Sequence, residues 1–220
     1  MKLEKIEIRQ EQKSDYRETE EMVREAFWNH YSPGCAEHYL VHVLRDSSVF
    51  LPELNLVAVS DGRIVGNAMC IKGLIRRDDG GQTEVLSLGP LSVLPEYQRK
   101  GVGTALIEET KKRAAALGYG ALFLCGDPDY YTAKGFAAAE MYGIRTADNM
   151  YAVALHACEL YRGALEETHG RYYEDSVYEI DEIKAEQYDK KFPPKEKVSG
   201  TPTQQKFDRI VAMRRPPESG

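Results

Sequence analysis

Positive charge is in short supply in this 220-residue chain: Lys and Arg number 29 against 35 Asp and Glu, a formal net charge of −6. No basic stripe is present to follow a phosphodiester backbone, so a nucleic-acid partner is not expected. Cysteine is scarce as well. Cys35, Cys70, Cys125 and Cys158 stand far apart and form no CxxC pair. They read as buried free thiols in a reducing compartment. No apolar run approaches the ~20 residues of a membrane span. The first eight residues alternate charge with apolar side chains and lack the continuous core of a signal peptide. The expectation is a soluble, cytoplasmic protein with no membrane partner. Hydrophobic residues make up 42% of the chain, enough for a sizeable core in one domain with an extension.

Hydropathy patterning predicts a mixed order of elements. Residues 3–9 alternate as a half-buried strand does. Asp15 sits at a helix cap position, and Met22, Val23, Ala26 and Phe27 share one face of a helix reaching Trp28. Residues 31–34 (Tyr-Ser-Pro-Gly) break it. A second helix over about 35–46 turns Tyr39, Leu40, Val43 and Leu44 inward. Strands at 54–60 and 63–77 meet at Asp61-Gly62, a hairpin signal. A long strand at 83–94 contains Gly89-Pro90, and proline cannot donate to a ladder, so a bulge or break is expected there. A helix over about 101–117 and a buried strand at 121–125 follow. Shorter strands are expected near 137–142, 151–156 and 171–180. The prolines at 193, 194, 202, 216 and 217 mark 184–220 as an arm without its own core, loosely ordered or laid on a neighbour, after a domain spanning 1–183. The strand–helix–strand crossover makes the strands near 85–94 and 121–125 a parallel pair.

The usual nucleotide motifs are missing. GxxxxGK[ST] is absent, and Gly101-Val102-Gly103 continues into Thr-Ala-Leu without the third small residue of GxGxxG/A. What stands there is an apolar strand, a proline turn, Gln98-Arg99-Lys100-Gly101-Val102-Gly103, and an amphipathic helix. That order aims the unpaired N–H groups of a helix N-terminus at an anion, and a diphosphate is their natural occupant. The glycines let the backbone approach phosphates closely, and Arg99 and Lys100 add positive charge.

These residues in this context resemble the Q/R-x-x-G-x-G/A signature of the GNAT-type N-acetyltransferases. The Gly126-Asp127-Pro128 turn is similar to that of a bacterial subgroup of predicted acetyltransferases. The resemblance covers the element order of about residues 3–160 and is sharpest over 84–136. It implies an α/β fold with a GNAT-like mixed, mostly antiparallel central sheet, one splayed parallel strand pair and flanking helices. It implies acetyl-CoA as co-substrate, its pantetheine arm pairing with a strand edge in the splay. Carried onto this sequence, Leu91, Ser92 and Val93 supply backbone groups to that arm. Gln98, Arg99, Lys100, Gly101, Val102, Gly103 and Thr104 hold the diphosphate.

The family's Tyr-x-x-x-Gly-Phe context falls on Tyr131, Gly135 and Phe136, which implies Tyr131 as general acid to the departing thiolate. A phenol is protonated at neutral pH and suits that task. Tyr130 reads as core. The base is open: where some members place a glutamate on the splayed strand this chain has Ser87, and Glu84 falls on the opposite face, so a water relay is as good a candidate as any side chain. The N–H near Val93 is the expected oxyanion donor. In this family the connection between the first two helices borders the acceptor, which makes Trp28, Asn29, His30 and Tyr31 acceptor-site candidates; Trp28 reads equally as a hydrophobic anchor. His38 and His42 share a helix face without a third ligand, so no metal is expected, and both read as surface or groove histidines. A covalent acetyl-cysteine is disfavoured because Cys125 reads as buried, with no activating base. The chain reads as an acetyltransferase that moves the acetyl group of acetyl-CoA directly to a primary amine of a small molecule, as monomer or homodimer. A CoA-binding sensor or interaction module is the alternative.

Overall fold

The computed structural model describes residues 6–217, so the start of the first expected strand lies outside the described residues. In chain order the elements are β1 (Glu7–Gln10), α1 (Tyr16–Phe27), α2 (Glu37–Leu44), β2 (Leu56–Ser60), β3 (Arg63–Arg77) and β4 (Gln82–Val93). Then come α3 (Val102–Ala116), β5 (Ala121–Cys125), α4 (Pro128–Tyr131), β6 (Ala137–Ala138), β7 (Ile144–Arg145), β8 (Tyr151–Ala152) and β9 (Leu155–Glu159). The chain continues through β10 (Gly170–Tyr173), α5 (Glu182–Asp189), α6 (Pro202–Ala212) and β11 (Arg214–Arg215).

The main sheet runs β1-β2-β3-β4-β5-β9-β6, with β10 on the free edge of β3 and β7 beside β10. Its ladders are antiparallel except β4–β5 and a two-residue contact between β7 and β10. The β4–β5 pairing is brief: only Leu86 with Leu122 and Ser87 with Phe123. Two residues later the β3–β4 register slips, since Ala68 faces Leu91 while Cys70 faces Leu88. Gly89 and Pro90 together therefore oppose Met69 alone, which is the expected bulge. Past it, β4 keeps β3 on one edge and leaves the other open.

Helices cover the sheet because their apolar stripes match its faces. Met22, Val23 and Phe27 of α1, Leu40, Val41 and Leu44 of α2, and Val102, Leu106 and Ile107 of α3 join one core with Leu56, Ile71 and Leu86. A smaller core joins Ile75, Val85, Phe123, Leu155 and Tyr172. Each fully buried aliphatic side chain contributes about 1.5–3 kcal/mol.

Several expected elements differ. In α2, His38 and Val41 turn inward, while Tyr39 and Val43 are only half-buried. The reason is that α2 is covered on two sides, by α1 and by α5. The 137–142 strand shrinks to β6 before a 3-10 turn at Ala139–Tyr142, which ends at Gly143 with φ 66°. The strand at 151–156 splits into β8 and β9. The strand at 171–180 stops at Tyr173, and Asp175 caps a turn at Ser176–Tyr178 by accepting from the Val177 N–H.

The C-terminal segment forms two helices and lies across α1 and α2 of its own chain. Asp181 caps α5, and Thr201 with Gln204 forms a capping box on α6. Arg24 of α1, almost fully buried, pairs with Asp189 at 2.6 Å. Trp28 donates its indole N–H to the Glu196 carbonyl at 2.8 Å.

Candidate active site

The turn from β4 into α3 has a defined backbone geometry. Pro95–Tyr97 turn the chain out of β4, and Gln98, Arg99 and Lys100 follow, all exposed. Arg99 adopts a left-handed φ of 58°, and Gly101, the residue before α3, has φ 88°. At φ 88° a side chain is strained, so glycine suits position 101. The first helical bond closes from the Ala105 N–H to the Gly101 carbonyl at 2.9 Å. The N–H groups of Val102, Gly103 and Thr104 thus have no intrahelical acceptor and point out of the helix start. No side chain caps them. Such a terminus suits a diphosphate.

The open edge of β4 runs from this loop back to the bulge. The Leu94 N–H bonds the Val65 carbonyl at 2.9 Å, so Leu94 and Ser92 turn their backbone groups toward β3. Alternation turns those of Leu91 and Val93 to the open edge. This corrects the expectation for Ser92: its carbonyl lies against Gly66 of β3, and its hydroxyl points at Met22. Gln98 folds back and donates its amide to the Val93 carbonyl at 3.1 Å.

Tyr131 closes the far side of the splay. Cys125 ends β5, Gly126 and Asp127 make the turn, and Asp127 caps α4 by accepting from the Asp129 N–H at 3.0 Å. The edge of the Tyr131 ring lies against the turn: a Cβ on Gly126 would fall 2.3 Å from it. Tyr131 also packs on Phe136 and His156, with ring centroids at 5.7 and 6.2 Å. Burial pushes its hydroxyl well above the usual phenol range, and Tyr31, Tyr130 and Asp127 add to that. The group stays protonated at neutral pH.

Tyr130 is not in the core. It is 38% exposed, and its hydroxyl occupies the space beside Gly103, where a Cβ would come within 2.4 Å. Cys125 is likewise exposed rather than buried. It is nevertheless closely walled: desolvation, with Glu174 nearby, raises the thiol to about 12. Cys35 is half-buried.

The four acceptor-site candidates separate. Trp28 and Asn29 are taken up by the C-terminal segment: the Asn29 side chain donates to the Glu196 carbonyl and accepts from Val198. His30 and Tyr31 stack on each other at 4.5 Å, and Tyr31 also meets Phe207 of α6 at 4.5 Å. Burial, with Glu37, Asp127 and Tyr130 nearby, raises Tyr31 to about 12. Lys206 of α6 bridges Asp127 and Asp129 at 2.5 and 3.0 Å. The helix α6 therefore borders this side of the cleft.

His38 is fully buried rather than at the surface, its Nδ1 3.4 Å from the Cys35 Sγ. Among the described residues no group of three His, Cys, Asp or Glu is arranged to hold a metal ion. None of their helices is long and apolar enough to cross a membrane.

At this end Glu174 carries no signal in the sequence, whereas Tyr172 and Tyr178, which the alternation marks as strand packing, do pack, Tyr172 within the smaller core. Tyr172 bonds the Ser87 hydroxyl at 2.6 Å, and Tyr178 donates to the Gly89 carbonyl at 2.7 Å. Burial raises the Glu174 carboxyl. The alternation of 171–178 marked these residues as a strand, but nothing local pairs that strand with β3.

Comparison with known proteins agrees with this geometry. Residues 6–144 match the family model described as the Acetyltransferase (GNAT) family. The uncharacterized N-acetyltransferase YjhQ of Escherichia coli is 32% identical over 98 residues, 44% of this chain and 53% of that protein. The uncharacterized N-acetyltransferase YhbS of the same species is 32% identical over 111 residues, 50% of this chain and 64% of that protein. The chain thus spans under two thirds of either curated relative. The crystal structure of YhbS in complex with CoA superposes with a TM-score of 0.71 at 25% identity, covering 80% of this chain and 93% of that one. A Brucella melitensis GNAT acetyltransferase in complex with acetyl-CoA gives 0.64 at 25% identity, covering 80% and 99%.

Proposed function

The chain belongs to the GNAT acetyltransferase family, and from that membership we propose that it transfers the acetyl group of acetyl-CoA directly to a primary amine of a small molecule. One juxtaposition carries the reading: the uncapped start of α3, the open edge of β4 and the protonated Tyr131 follow one another around a single splay. Acetyl-CoA supplies an acyl carbonyl activated as a thioester. The N–H groups of Val102, Gly103 and Thr104 hold its diphosphate, and Arg99 and Lys100 add charge. Leu91 and Val93 offer N–H and C=O groups to the arm. With the diphosphate at α3, the reacting end lies toward Gly89, so the Leu91 N–H is the better oxyanion donor, and Val93 sits nearer the loop. Tyr131 Oη gives a proton to the leaving sulfur.

The YhbS structure with CoA and the Brucella structure with acetyl-CoA support that choice of co-substrate. The test is CoA release from acetyl-CoA across a panel of primary amines. Amine-dependent release, lost in Tyr131→Phe while acetyl-CoA still binds, is expected. Binding without amine-dependent release contradicts transfer and favours a CoA-binding module.

A further inference from the structure

We propose that Glu174 is the general base that deprotonates the acceptor amine, acting opposite Tyr131 across the open end of the β4–β5 splay. This rests on the acetyl-transfer reading and supplies the group that reading lacks. The candidates on β4 do not serve. Ser87 is buried and tied to Tyr172, and Glu84 pairs with Lys72 at 3.1 Å on the sheet surface.

Two tyrosines fix the position of Glu174. Tyr172 of β10 crosses β3 at Gly73, where a Cβ would fall 2.7 Å from the Ser87 hydroxyl and 3.2 Å from the Tyr172 ring. Its ring then stacks on Phe123 of β5 at 4.7 Å. Further along, Tyr178 is tied to the Gly89 carbonyl at 2.7 Å. Between these anchors the chain runs on from β10, on the edge of β3 away from β4, and the two tyrosines reach across to Ser87 and Gly89 of β4. Because β10 and β4 are both antiparallel to β3, and β4 is parallel to β5, all three strands run the same way. Glu174, the first residue past β10, leads off from Tyr172 in the direction in which Gly89 follows Ser87 and Cys125 follows Phe123.

Charge reports the same place. Burial is the main reason that Tyr172, Tyr178 and the Cys125 thiol are raised, and the Glu174 carboxylate adds to each. Cys125 in turn acts on Tyr131. The carboxylate and the phenol thus each interact electrostatically with Cys125, the last residue of β5. Glu174 keeps a solvent-accessible side, while the protein packed around its carboxyl desolvates and raises it, with no cation holding it down. A carboxylate so raised takes a proton from an ammonium more readily than an ordinary one.

The step balances. Glu174 takes one proton from the acceptor ammonium and frees the nitrogen lone pair. Nitrogen bonds to the acetyl carbonyl carbon, the carbon–sulfur bond breaks, and Tyr131 Oη protonates the sulfur. The second nitrogen proton leaves as the amide forms and returns through water to the Tyr131 phenolate. The proton on Glu174 passes to solvent.

The test variant is Glu174→Gln, which keeps the size and removes the basicity. The probes are ethylamine, a cation at neutral pH, and 2,2,2-trifluoroethylamine, neutral there and similar in size. The expected result is a loss of about 100-fold in kcat/KM for ethylamine and of less than about threefold for trifluoroethylamine. A second readout needs no acceptor: iodoacetamide alkylation of Cys125, mapped by mass spectrometry. Removing the neighbouring charge lowers the thiol pKa and speeds alkylation about threefold. Equal losses on both amines, no loss on either, or unchanged alkylation would each overturn the proposal. A wild-type protein that binds acetyl-CoA but acetylates neither probe contradicts the transfer reading and with it the base role. Faster alkylation would then still locate Glu174 at the mouth.

Discussion

Tyr131 owes its position to an absent side chain. Its ring occupies the space that a Cβ on Gly126 would need, 2.3 Å away. The contact is with a ring wedged against Phe136 and His156, so it cannot be relieved cheaply. Gly126→Ala is expected to displace the phenol by about 1 Å and lower kcat about 100-fold. Acetyl-CoA affinity and circular dichroism should remain those of wild type, which separates misplacement from unfolding. Burial raises the Tyr131 pKa, so its acid form persists as pH rises. A pH–rate profile is therefore expected to show no loss from its ionisation below about pH 10.

At the scale of elements, the start of α3 is the most demanding junction. Gly101 stands at φ 88°, where an L side chain costs about 1 kcal/mol or more. Gly101→Ala should lower stability by about 1 kcal/mol in chemical denaturation and weaken acetyl-CoA binding, because the N–H groups shift with the turn. The junction was legible in the sequence because everything that makes it is local: the proline turn, the glycines and the apolar periodicity of α3. The bulge was legible for the same reason, since Gly89-Pro90 interrupts pairing by its own chemistry. Glu174 was not. Its role depends on β10 pairing with β3, Tyr172 opposite Ile75, across about a hundred residues, and on Gly73 letting a ring pass. The helices α5 and α6 carried readable caps in Asp181 and in Thr201 with Gln204, but the surrounding prolines and charges hid them.

At the scale of the whole molecule, the C-terminal segment is held by buried polar contacts rather than by a core of its own. Asp189 pairs with Arg24 at 2.6 Å, and its Oδ1 lies 3.2 Å from His38 Nε2 without hydrogen-bond geometry. Asp189→Asn should cost about 2 kcal/mol, because it leaves the Arg24 cation buried; Asp189 is itself partly exposed, which moderates the loss. Burial pushes His38 from 6.5 down to about 4, outweighing the attraction of Asp189. Between those values the unfolded chain binds a proton that the folded one does not. Stability is therefore present above about pH 6.5 and falls by roughly 3 kcal/mol as the pH drops toward 4. Trp28, the single tryptophan, bonds the Glu196 carbonyl, so its fluorescence reads both effects directly.

The reading of the molecule as an acetyl-CoA enzyme rests most heavily on the splay and its phosphate loop. Isothermal titration of the whole protein with acetyl-CoA tests it, with Gly103→Val as the control that blocks the start of α3. Stoichiometric binding to wild type, lost or strongly weakened in the variant, is the predicted result. Absence of binding at millimolar acetyl-CoA, or equal binding to both proteins, would contradict it.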